Sequence, residues 1–136
     1  MAHKIQQYDL FDDLVKRGYN FFTGVPDSAL KTFQDKIIMS QFDNIIATHE
    51  SQALAIAFGA ELSGRKTCVY LQNSGLGNLI NPLTSLCIPF DISPLLVIGH
   101  RHTLPQHKIM GDIDTKLLNL IGYKNYILVK GDNNVK

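Results

Sequence analysis

The stretch Pro94-Leu95-Leu96-Val97-Ile98 is apolar at every position, so a strand built from it has no face for water and must be covered on both sides. That requirement selects folds in which helices sandwich a sheet. A second segment, Thr67 to Gln72 (TCVYLQ), is β-branched and aromatic, and shorter strands are expected at Phe21-Phe22, Asn44 to Thr48 and Tyr126 to Val129. Helical spacing lies between them. Leu10, Leu14 and Val15 precede Gly18, a helix from about Ser28 to Lys36 follows the cap candidates Asp27 or Ser28, and Glu50 to Ser63 ends at Gly64. Another helix leaves the turn Asn73-Ser74-Gly75-Leu76-Gly77 and stops near Pro89, Gly99 to Gly111 reads as a polar loop, and Leu117, Leu118 and Ile121 mark a short helix before Gly122. Strands alternating with helices through short turns predict the α/β class, a doubly wound, mostly parallel sheet with helices on both faces. The 136 residues have room for one such core. Residues 1–129 are expected to form the domain and 130–136 a polar tail.

Charge and hydropathy narrow the function classes. Thirteen Lys and Arg against twelve Asp and Glu leave +1, which gives no general field to recruit nucleic acid or an anionic membrane. The longest apolar run, Ala53 to Ala60, is well short of the ~20 residues of a membrane span, and the opening MAHKIQQYD has no apolar signal core. The expectation is a soluble, cytoplasmic protein whose two cysteines, Cys68 and Cys87, stay reduced and buried.

In a doubly wound sheet, ligands sit beyond the carboxyl ends of the strands. The least ordinary residues fall there: Gly24-Val25-Pro26-Asp27, His49-Glu50, Asn73 to Asn78, and His100 to His107. Gly75-Leu76-Gly77-Asn78-Leu79-Ile80 begins like a dinucleotide fingerprint, but Ile80 stands at the third glycine and no acidic residue follows about twenty positions on. Gln72 to Leu76 also lacks the glycines that flank the serine of a nucleophile elbow. What remains is either a plain strand-to-helix turn or a loop that lets a ligand approach the backbone. Glu50 fits two readings, a helix-end charge worth roughly 0.3 to 1 kcal/mol, or a carboxylate at the mouth of a mostly buried helix, suited to sharing a proton. The cluster His100, Arg101, His102 and His107 suits zinc poorly, because Arg101 repels a cation and the H-x-H-x4-H spacing matches no familiar site. Either a solvated loop or one that recognises an anion accounts for it.

Taken in chain order, several motifs are similar to one family: Phe22-Thr23-Gly24-Val25-Pro26-Asp27-Ser28, Glu50 opening an Ala-rich helix, Tyr70-Leu71-Gln72-Asn73-Ser74-Gly75-Leu76-Gly77-Asn78, Asn81-Pro82-Leu83, and Pro105-Gln106-His107. From Tyr8 to Val129 the chain resembles the pyrimidine-binding domain of thiamine-diphosphate-dependent 2-oxo acid decarboxylases, in the phosphonopyruvate and sulfopyruvate decarboxylase branch. The resemblance implies that Glu50 hydrogen-bonds N1′ of the cofactor's aminopyrimidine and controls proton exchange at the thiazolium C2. It further implies that Pro26, Asn73, Ser74, Gly75, Leu76, Gly77 and Asn78 join Glu50 in binding the cofactor. Arg101, His107 and Asn78 are expected to meet the substrate, with His107 catalytic beside Glu50.

In the family, Mg2+ and the diphosphate are held by a Gly-Asp-Gly…Asn motif on a second domain, and the sole approximation here is Gly131-Asp132-Asn133. The resemblance therefore implies no metal ligand on this chain and a separate diphosphate-binding β subunit. The expected protein is the α subunit of a hetero-oligomeric, two-chain decarboxylase of 3-phosphonopyruvate or 3-sulfopyruvate. The alternatives are a non-catalytic α/β binding or regulatory module, and a subunit of a thiamine-diphosphate carboligase or synthase.

Overall fold

The computed structural model describes residues 7–130, so the polar tail and its Gly131-Asp132-Asn133 lie outside the described residues. Five strands form one sheet: β1 Phe21–Gly24, β2 Asp43–Ile46, β3 Thr67–Gln72, β4 Leu95–His100 and β5 Tyr126–Lys130. Their order is β2-β1-β3-β4-β5, and every pairing is parallel. The helices are α1 Gln7–Lys16, α2 Lys31–Met39, α3 Glu50–Leu62, α4 Ile80–Pro82 and α5 Pro105–Ile121.

Strand periodicity explains how the layers close. Successive side chains of a strand point to opposite faces. Cys68 and Tyr70 of β3, with Leu95 and Val97 of β4, pack with Leu10, Leu14, Phe33 and Ile37 of α1 and α2. Val69, Leu71, Leu96 and Ile98 pack on the other face with Ala53, Leu54 and Ala57 of α3 and Leu118 of α5. Both faces of the sheet are covered by helices, and the doubly wound α/β expectation holds. The chain winds from β1 outward to β2, then crosses back to β3, which makes the gap between β1 and β3 the topological switch point.

Four local expectations are corrected. The polar loop Gly99 to Gly111 is only Arg101 to Leu104, because β4 runs on to His100 and Pro105, at the first helical position, starts the 17-residue α5. Gly111 lies inside that helix, and glycine is needed there because a Cβ would lie 2.6 Å from the His102 ring and 2.7 Å from the carbonyl oxygen of Arg101.

The helix after β3 changes pitch. Asn73–Leu79 is a 3₁₀ helix, α4 supplies three residues, and Leu83–Cys87 is a π turn. Pro82 has no N–H to give the carbonyl of Asn78, and that carbonyl instead accepts the Ser51 hydroxyl of α3 at 2.5 Å. The missing helical bond thus becomes a link between two elements.

The strand expected at Asn44 to Thr48 is β2, Asp43–Ile46, an edge strand with Ile45 and Ile46 exposed. Finally, α3 is not mostly buried: only Ala53, Leu54 and Ala57 are, and Leu62 is 67% exposed.

Candidate active site

Glu50 is the first residue of α3, and the His49 imidazole caps that helix by accepting the Ser51 N–H through Nδ1. The helix therefore starts with its carboxylate beside the turn that leaves β3. Oε2 of Glu50 accepts the Asn78 side-chain amide at 2.8 Å. Oε1 faces Gly75, where an added Cβ would lie 2.5 Å from it, so any side chain at position 75 displaces the carboxylate. Glycine is needed here for approach. Gly77 is different, since a Cβ there would meet nothing within 4 Å. Leu76 is fully buried, whereas Ser74, Gly77 and Asn78 are exposed around the turn. Pro26 is exposed just beyond β1.

Beneath the turn lies a buried polar network that sequence reasoning missed. Asn73 is fully buried, and its Nδ2 donates to the carbonyl of Arg101 at 2.9 Å and to Asp114 Oδ2 at 3.1 Å. His100 Nδ1 meets the same Asp114 oxygen at 2.5 Å. Asp114 and Leu118 are the two buried residues of α5, so the helix presents one polar and one apolar residue inward. Only an aspartate one turn before a core leucine signals this in the sequence, and nothing in its spacing separates it from a surface carboxylate.

Arg101 does not lie in open solvent. Its Nε and Nη2 donate to Asp27 Oδ1 at 3.2 and 3.1 Å, and Nη2 also donates to the Ser28 hydroxyl. Asp27 therefore serves as Arg101's counter-ion and makes no side-chain cap for the following helix. It is buried, and its Oδ2 has no hydrogen-bond donor among the described residues and faces Gly99, where a Cβ would clash at 2.4 Å. The Nη1 end of Arg101 makes no hydrogen bond among the described residues. His107, in the first turn of α5, receives the Gln72 amide on Nδ1 at 3.2 Å, which brings it over the end of β3. His100, His102 and His107 pair separately with Asp114, Asp112 and Gln72. Among the described residues no three His, Cys, Asp or Glu side chains converge on a metal position.

Known proteins decide the family. The chain is 37% identical over 126 residues to the sulfopyruvate decarboxylase subunit alpha of Methanocaldococcus jannaschii, covering 86% of this chain and 72% of that protein. It belongs to the sulfopyruvate decarboxylase α-subunit family. A second such subunit, from Methanococcus maripaludis, is 36% identical over 118 residues, with 82% of this chain and 70% of that protein covered. The phosphonopyruvate decarboxylase of Streptomyces viridochromogenes is 38% identical over 118 residues, but the match spans 30% of that longer protein. No protein-family model matches the chain.

For a member of this α-subunit family, the site is compact in chain terms. Glu50 contacts both Gly75 and Asn78, Asn73 anchors the turn from below through the Arg101 carbonyl just beyond β4, and His107 of α5 meets Gln72 where β3 runs into the turn. Neither Ser74 nor Gly77 touches Glu50 through a hydrogen bond. No helix among the described residues is long and apolar enough to cross a membrane.

Proposed function

We propose that this chain is the pyrimidine-binding α subunit of a thiamine-diphosphate-dependent decarboxylase of 3-sulfopyruvate or 3-phosphonopyruvate, working with a separate diphosphate-binding β subunit. The observation that carries the reading is Glu50 held against Gly75 at the start of α3, in a chain whose relatives bear those decarboxylase names. The residues fit the cofactor's pyrimidine end. A carboxylate with one oxygen turned to a glycine backbone is an acceptor for a protonated ring nitrogen, and the exposed turn Ser74, Gly77 and Asn78 leaves room beside it.

When bound, thiamine diphosphate supplies an electron sink for the bond between the keto carbon and the carboxylate. The chain's own residues control placement and protons. Glu50 accepts a hydrogen bond and holds or releases a proton at the ring nitrogen, while Asn78 fixes the carboxylate by donating to Oε2. Gly75, Leu76 and Asn73 shape the turn, and Pro26 is exposed just beyond the carboxyl end of β1. Mg2+ and the diphosphate are assigned to the partner.

The substrate's sulfonate or phosphonate is a permanent anion, and burying it unpaired is prohibitive. Arg101 offers its Nη1 end at the carboxyl end of β4, and His107 borders the same side with its Nε2 directed away from Gln72. Asp27 offsets part of the Arg101 charge, so a monoanionic sulfonate fits this pairing better than a dianion. The test is turnover by the complex co-expressed with a diphosphate-binding subunit. Sulfopyruvate and phosphonopyruvate are expected to be decarboxylated at least tenfold faster than pyruvate, the effect of about one charge-assisted hydrogen bond. Equal turnover of all three overturns the anion assignment, and no turnover of any overturns the enzyme reading.

A further inference from the structure

We propose that Asp114 is a positioning residue that holds the glycine turn and the His100 imidazole in one arrangement at the ligand end of the sheet. Asp114 is 2% exposed, in the middle of α5. Three donors converge on it. The Thr115 N–H reaches Oδ1 at 2.7 Å, and Oδ2 takes both the Asn73 amide at 3.1 Å and His100 Nδ1 at 2.5 Å.

The arrangement is over-determined by hydrogen-bond chemistry. An ionised carboxylate only accepts, so Nδ1 of His100 carries a proton, and in the neutral ring Nε2 is then the acceptor. That is the less common tautomer of a free imidazole. Nε2 makes no hydrogen bond among the described residues, and His100 ends β4, where a parallel sheet presents its ligand side. Asn73 is fixed in the same way. Its Nδ2 lies between two acceptors, the carbonyl of Arg101 and Asp114 Oδ2, while its Oδ1 is buried without a donor among the described residues. One carboxylate on α5 thereby ties the start of the turn that carries Gly75 and Asn78 to the end of β4. Packing alone does not call for it, since an apolar residue would fill the position beside Leu118 without the cost of burying a charge.

This inference rests on the proposed function only for its catalytic consequence. The test uses the full chain. Nitrogen-15 long-range NMR is expected to find the neutral His100 protonated on Nδ1, and Asp114→Ala to move that proton to Nε2. In the same variant, amide exchange across residues 74–79 should rise about tenfold, the effect of losing a buried hydrogen bond. An unchanged tautomer, or an unchanged exchange pattern, overturns the proposal. Should Asp114→Ala not fold, Asn73→Ala cuts one arm alone: the turn should loosen while His100 keeps its Nδ1 proton. Loss of that proton, or a turn that stays tight, overturns the proposal equally. Thiamine diphosphate affinity of the complex with its β subunit separates the two readings. If the tautomer and the turn respond to Asp114→Ala but cofactor affinity does not change, the positioning stands and the assignment of the turn to the cofactor falls.

Discussion

At position 75 the constraint comes from a neighbour and not from the backbone. Gly75 is absent from the positive-φ glycines, which are Gly18, Gly64 and Gly122, and it is small because Glu50 occupies the space its Cβ would take. Gly75→Ala should therefore leave the fold intact, push the Glu50 carboxylate aside and weaken thiamine diphosphate binding to the complex, as calorimetry would measure. Glu50→Gln keeps the shape and the Asn78 contact while removing the proton-sharing group. It should lower kcat by a factor on the order of 10² to 10⁴ and slow exchange of the cofactor's C2 proton in parallel. Near wild-type exchange in that variant would reduce Glu50 to a helix-end charge. Arg101 carries two consequences at once. Arg101→Ala leaves the buried Asp27 carboxylate without its ion pair, which should cost about 1 to 3 kcal/mol in chemical denaturation. It should also erase the preference for sulfopyruvate over pyruvate. Asp27→Asn with Arg101→Ala should recover part of the stability and none of the preference, and recovery of both would mean that Arg101 acts on substrate only through the fold.

At the scale of elements, what could be read from sequence follows from how uniform each environment is. β3 and β4 lie between two cores, so their apolar runs marked them without ambiguity. The helix α3 and its first residue were equally plain, although its even apolarity concealed how little of it is buried. α5 was half hidden, because its buried positions include Asp114 and its early turns carry Gln106, His107 and Lys108, which read as loop. The contact of Glu50 with Gly75, the bond of Asn73 to Asp114 and the pair of Asp27 with Arg101 join residues 25 to 74 positions apart, as the hydrogen bonds and close approaches show. No local pattern encodes such pairings.

The buried strand also sets chemistry that can be checked. Burial pushes the Cys68 thiol far up and the Cys87 thiol to about 11, so both should be inert to a thiol reagent at pH 8 until denaturant is added. Burial likewise pushes Tyr70 of β3 up to about 12 from its ordinary 10.0, against the opposing hydrogen bond to Asn44. The folded state then keeps a proton that the unfolded chain releases. The stability this represents is fully present below about pH 10 and is lost as pH rises through about 12. Denaturation midpoints should fall across that window, and Tyr70→Phe should flatten the fall.

The whole molecule presents more apolar surface than its two cores account for. Leu62 at the end of α3 is 67% exposed, Phe90 65%, and Ile46 on the edge strand 54%, although mid-chain helices and edge strands of stable monomers usually carry polar residues outward. In the proposed enzyme a second chain would bring the metal and diphosphate contacts to the turn around Gly75. The chain on its own then has only the pyrimidine contacts: one carboxylate, one amide and a glycine backbone. Such a set makes few hydrogen bonds and leaves the ligand's most highly charged end in water, so affinity should be low. Calorimetric titration of the purified chain with thiamine diphosphate and Mg2+ should give a dissociation constant of about a millimolar or weaker, with no decarboxylation of sulfopyruvate. Adding the diphosphate-binding subunit should tighten binding at least a hundredfold and start turnover. The tightening should depend on Mg2+, because in the proposed arrangement the partner would hold the metal and, through it, the diphosphate. Micromolar affinity with turnover by the chain alone would overturn the two-subunit arrangement. Tightening without any need for Mg2+ would mean that the partner holds the diphosphate by direct contacts and not through the metal.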